Sequence, residues 1–223
     1  MAPYADSGEA RATALRRGRG SSLRRLWAGG TKGNEQLTAA TGVLLLVLLA
    51  ALGVTILRIG QFLNAHMFLG MLLIGPVVLK MGSSGYRFVR YYTFSPSYRS
   101  KGPPELGMRL LAPLVVISTV VVFATGVALL FVGPNSRGVL TPLHKGSFVV
   151  WLMVTALHVL GHLVELPVAL RVGRRGERSW DDYGAGRGAR AVTLVGALVA
   201  GLVLALLVQS QFGAWAHFHH GGG

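Results

Sequence analysis

The chain has no cysteine in its 223 residues. That excludes disulfides, iron–sulfur ligation, thiolate zinc sites and haem attached through thioethers. Acid is almost as scarce: eight Asp and Glu stand against 22 Lys and Arg. Charged residues of both signs make up only 13% of the chain, about half of what soluble domains carry. No nucleotide-binding, flavin or molybdenum-cofactor motif is present. What fills the sequence instead is apolar residues, 52% of the total, and they come in runs. Five runs, roughly 38–58, 62–81, 110–132, 143–170 and 191–211, each reach the ~20 residues that cross a bilayer. The expectation is an all-α integral membrane protein with five transmembrane helices in one domain over 38–211. A disordered basic tail over 1–37 precedes it, and a short tail over 212–223 follows.

The net charge of +14 invites a nucleic-acid reading, but its distribution argues for a membrane. Residues 1–37 hold seven of the 22 Lys and Arg, residues 80–109 hold six, and residues 171–190 hold six more. The remaining connections hold only Arg58, Arg137 and Lys145. This is the positive-inside asymmetry. It sets the N-terminus in the cytoplasm and the C-terminus outside, with the basic loops facing anionic headgroups. No nucleic-acid partner is expected. The aromatic and basic stretch Tyr86 to Tyr98 reads as an interfacial belt. Arg24–Arg25 does not make an export signal, because the apolar run starts too late and no cleavage site follows.

The first run is Leu, Ala, Val and Gly, with Gly42 and Gly53 open to close helix contact. A tight turn at Arg58 makes it a hairpin with the second run. That second run carries His66, with Gly70 one turn on leaving room beside the imidazole, Pro76 expected to kink its inner half, and Lys80 expected to snorkel. Thr125-Gly126 falls in the outer half of the third run. A small residue there either makes space for a cofactor or serves ordinary helix packing. The fifth run has no histidine and reads as packing support. Asp181–Asp182 reads as solvated, and the tail histidines His217, His219 and His220 as a frayed end with weak metal affinity at most.

The fourth run carries most of the chemistry. His144, His158 and His162, with Glu165 near the edge, share one face with Trp151 and Thr155. Val149, Val150, Met153, Leu157, Leu160 and Val164 form the opposite, lipid-suited face. Ionisable groups in hydrocarbon are costly and mark function. With cysteine absent, imidazole is the best haem ligand available. Bis-imidazole ligation needs two histidines from facing helices at similar depth. His66 and His144 both lie near the outer end, and His158 is about 21 Å further along the helix axis at 1.5 Å per residue.

Over residues 40–170 this pattern resembles small bacterial membrane cytochromes b. These include ferric-reductase-like transmembrane domains and the cytochrome b subunits of hydrogenases and formate dehydrogenases. The resemblance implies a haem-type four-helix bundle plus a supporting helix in a bacterial plasma membrane. It implies b-type haem on His66 and His144, with His158 belonging to an inner haem, and electron relay between a quinone or redox protein and a partner. The chain departs from the pattern where a second histidine on the second run is wanted, since positions 79 and 80 are Leu79 and Lys80. Three arrangements remain open. His158 and His162 bind no inner haem; or His66 pairs with His158 around one mid-membrane haem; or an inner haem is five-coordinate. One haem involving His66 is the expectation, its partner undecided. The alternatives to haem are a proton or ion path, in which Glu165 would serve, and purely structural contacts between helices.

Overall fold

The structure is a computed structural model that describes residues 30–94, 106–173 and 187–215, and within them the side chains of 33–94, 107–161 and 188–215. Its five long helices are α1 (Gly30–Leu57), α2 (Ile59–Tyr92), α3 (Leu106–Val132), α4 (Leu140–Gly173) and α5 (Arg187–Leu207). Single 3-10 turns lie at Pro134–Ser136 and Gln209–Gln211. No strand occurs among the described residues. Each of the five helices holds a stretch long and apolar enough to cross a membrane.

Several helix ends run past the apolar runs, two of them by two turns or more. α1 begins at Gly30, inside the stretch read as a disordered tail, and α2 continues to Tyr92, through residues read as loop. The cause is tertiary. The Asn34 side-chain amide donates to the Ser83 carbonyl at 3.1 Å, and Thr38 Oγ1 lies 3.1 Å from Ser83 Oγ and 2.7 Å from the Asn34 carbonyl. These polar residues satisfy one another between two helices, so neither helix has to end where apolar residues stop. Lys80 is half-buried, and its amine donates to the Thr38 carbonyl at 2.7 Å. Gly42 makes room for it, since a Cβ there would stand 3.1 Å from Nζ.

α2 is the central helix. α1 packs along it on one side after a turn built on the Arg58 carbonyl, which accepts from the Gln61 and Phe62 amides. α5 packs along it as well, backbone to backbone. A Cβ on Gly75 would collide with the Ala197 carbonyl, and a Cβ on Gly201 with the Leu72 carbonyl. Ala197 and Gly201 are four residues apart, the small-residue spacing that lets membrane helices approach. This contact bears on Pro76. Lacking an N–H, Pro76 leaves the Leu72 carbonyl without its helical donor. Gly201 closes over that same carbonyl, where a Cα–H contact can substitute in part. Pro76 itself is fully buried. The residue of α2 with non-helical angles is Phe62 (φ −113°, ψ 22°).

α3 and α4 form a second hairpin with extensive mutual contact, and α3 touches α2 only sparsely. Trp151 Nε1 donates to Thr119 Oγ1 across this hairpin at 3.0 Å. Large apolar side chains face outward: Val43, Leu57, Leu110, Val139 and Leu207 are all exposed. So are Val149, Val150, Met153, Leu157 and Leu160 on α4. The buried set, by contrast, contains Thr38, Thr41, Thr55, Ser83, Ser118, Thr119 and Thr125. Apolar outside and hydroxyls inside is the partition of helices packed in lipid, where the exterior gains nothing from polarity.

Candidate functional site

A cavity of about 560 Å³ opens between the two hairpins, toward the end where each of them turns. That volume lies inside the ~300–1,000 Å³ range of cofactor and ligand sites. Its walls come from α1, α2, α3 and α4, with Leu52, Leu63, Met67, Val122 and Phe148 among the apolar lining. α5 contributes nothing directly; it lies against α2. Among the described residues no Asp or Glu lines the cavity.

His66 and His144 both line it. By 1.5 Å per residue, His66 lies about 10 Å into α2 and His144 about 6 Å into α4, measured from the turn end. Each imidazole is held by a threonine of its own hairpin. Thr55 on α1 lies 3.1 Å from His66 Nδ1. Thr125 on α3 lies 3.0 Å from His144 Nδ1. A hydroxyl has one proton to give. Thr55 Oγ1 directs it to the Leu52 carbonyl, and Thr125 Oγ1 directs it to the carbonyls of Val121 and Val122, at 2.9 and 3.0 Å. Back-bonding of this kind is usual for Thr inside a helix. With its proton so directed, each threonine oxygen can accept from Nδ1–H of its histidine. In that tautomer Nε2 is the lone-pair nitrogen of a neutral imidazole, the form that ligates a metal through Nε2 with an outer partner on Nδ1.

Two glycines complete the geometry. A Cβ on Gly126 would stand 3.0 Å from His144 Cε1, so Gly126 clears the imidazole itself. Gly70 lines the cavity one turn beyond His66, and a Cβ there would meet nothing within 4 Å.

His158 does not line the cavity. The side chains of His162 and Glu165, and the tail histidines His217, His219 and His220, lie outside the described residues. So do Asp181 and Asp182. Among the described side chains no three His, Asp or Glu gather as a cage for a bare ion. A structural zinc site takes four protein ligands and a bis-imidazole haem takes two; the described side chains bring two imidazoles to this cavity.

Sequence reasoning missed part of the lining. Trp215, in the segment after α5, lines the cavity together with Arg137, Thr141 and Lys145. A signal for two of these was present: Thr141 and Lys145 flank His144 on the first turns of α4. Nothing in the sequence indicates that the chain after α5 folds back over the cavity. No family model, curated protein or solved structure matches this chain.

Proposed function

We propose that the protein is a multi-pass membrane cytochrome of the b type, which holds one haem b between His66 and His144 and relays electrons. The donor and acceptor would be a membrane quinone and a redox protein, in a bacterial plasma membrane with the N-terminus inside. The observation that carries this reading is the pair of imidazoles. They come from two hairpins, line one apolar cavity, and each has a threonine hydroxyl at hydrogen-bond distance from Nδ1.

Bound haem supplies reversible one-electron chemistry. The chain's own residues do the rest. His66 and His144 would hold the haem iron through their imidazoles. Thr55 and Thr125 hold the rings and raise their basicity as ligands. The apolar walls exclude water, which limits the reorganisation that accompanies a change of charge. A second haem has no support on α2, because the residues at the matching depth are Leu79 and Lys80, and the Lys80 amine is committed to the Thr38 carbonyl.

A structural reading draws on the same threonines, since Thr–His bonds also tie each hairpin together. It gives no role to a cavity of this size between the hairpins. The test is reduction of the purified, haem-supplied protein by a quinol in liposomes. A reduced b-type α-band that develops with quinol supports the relay. A protein that binds haem and stays oxidised under excess quinol and under dithionite is not an electron carrier.

A further inference from the structure

The two long edges of the cavity differ. Its walls follow one another as α1, α2, α3 and α4, because α1 packs on α2, α2 meets α3, and α3 packs on α4. The seam between α2 and α3 is sparse but covered. After α5 the chain buries Phe212 with Met71 of α2 and Leu130 of α3, and Trp215 packs against the same cluster. The opposite edge lies between α1 and α4, which make next to no contact with each other. Among the described residues, α3 is the only element that packs along α4.

Side chains locate that second edge. On α4, Phe148 lines the cavity, and at 100° per residue Ser147 and Val149 fall on either side of it. Ser147 is turned to α3, with its hydroxyl 3.4 Å from Thr125 Oγ1. Val149 is turned the other way and is 58% exposed. On α1, Leu52 lines the cavity. Thr55, to one side of it, meets His66 of α2 at 3.1 Å. Gly53 is on the other side, and a Cβ there would meet nothing within 4 Å. Leu46, two turns from Gly53 on the same face, is exposed, and so is Leu152 beside Val149. The rim of this edge is apolar on both helices.

Depth decides what the edge faces. The lining reaches Leu49 on α1 and Trp151 on α4. These lie about 12 and 16 Å from the turn ends of their helices at 1.5 Å per residue. One leaflet of hydrocarbon is about 15 Å thick. An edge that runs this far along two membrane-spanning helices opens among acyl chains and not into water.

We propose that the α1–α4 edge is a lateral portal, through which a flat apolar ligand dissolved in the bilayer enters and leaves the cavity. Naming that passenger as haem rests on the reading above; the portal does not.

The test exploits the absence of cysteine from the chain. Gly53→Cys and Val149→Cys put the only two thiols on opposite rims of the edge. Reversible bis-methanethiosulfonate tethers of graded length join them in the full-length protein in liposomes. Haem is supplied from the same bilayers, and apomyoglobin in the water draws it out. Tethered before haem is added, the protein should lose uptake. Tethered after loading, it should lose release. Reductive cleavage of the tether should restore both. A site merely damaged by the tether would lose uptake while releasing faster, so loss of uptake without loss of release overturns the portal. Uptake and release at untethered rates, with the tether in place, overturn it as well. A second readout needs no haem. In a variant with Trp27→Phe, Trp180→Phe and Trp215→Phe, Trp151 should be quenched by phospholipids brominated in mid-chain, and the tether should relieve the quenching. A protein that takes no haem while Trp151 behaves in this way removes the haem reading and leaves the portal standing. Trp151 emission that is unquenched, or quenched alike with and without the tether, removes the portal.

Discussion

At the scale of single residues, each imidazole of the cavity meets one threonine hydroxyl. Thr125 Oγ1 is within hydrogen-bond reach of the carbonyls one turn back and of His144 Nδ1. Thr125→Val keeps the shape and removes the hydroxyl. We expect haem retention, measured by transfer to apomyoglobin, to fall about 10- to 100-fold, as for other outer partners of ligating histidines. Thr125→Ser should restore it. Gly126→Ala tests the neighbouring contact, because its Cβ would crowd His144 Cε1 at 3.0 Å. The expected result is a perturbed low-spin signal with the haem still bound. His66 and His144 were legible in the sequence, because ionisable groups stand out in apolar runs. Their threonines were not. Thr55 and Thr125 are two among many hydroxyls, and only the rotation of each helix about its partner shows which ones meet an imidazole.

At the scale of elements, the helices were legible and their ends were not. An apolar run reports where lipid begins, whereas a helix ends where its backbone groups lose partners. Asn34, Thr38 and Ser83 supply partners between α1 and α2, and both helices outlast their apolar runs. The role of α5 was half legible: packing support follows from its composition, but the fit of Gly201 over the carbonyl freed by Pro76 needed the structure. Gly201→Leu should force α2 and α5 apart and cost about 1–3 kcal/mol, as overpacking does, seen as a lower Tm in detergent. Gly53→Ala provides the contrast. Nothing lies within 4 Å of a Cβ there, so the change should leave Tm unaltered or raise it slightly, by up to about 1 kcal/mol of helix propensity.

At the scale of the whole molecule, two hairpins meet sparsely and enclose a cavity whose two imidazoles belong one to each. A ligand bound to both would be the main tie between them. Haem should therefore raise the stability of the bundle, by about 4 kcal/mol at a thousandfold excess over Kd, and the gain should vanish in His66→Ala. The sequence placed His66 and His144 near the same end but left His158 open as a partner of His66; the structure puts the first two, and not His158, on the cavity lining, because helix depth and tilt decide which side chains share a space. The most direct measurement is low-temperature electron paramagnetic resonance of the oxidised, haem-supplied protein. It would be recorded for wild type, His66→Ala, His144→Ala and His158→Ala, with haem counted per chain. The account predicts one haem per chain in a low-spin, bis-imidazole state, lost or turned high-spin in the first two variants and unchanged in His158→Ala. A protein that holds no haem when haem is ample, or one whose low-spin signal survives His144→Ala and disappears in His158→Ala, would contradict it.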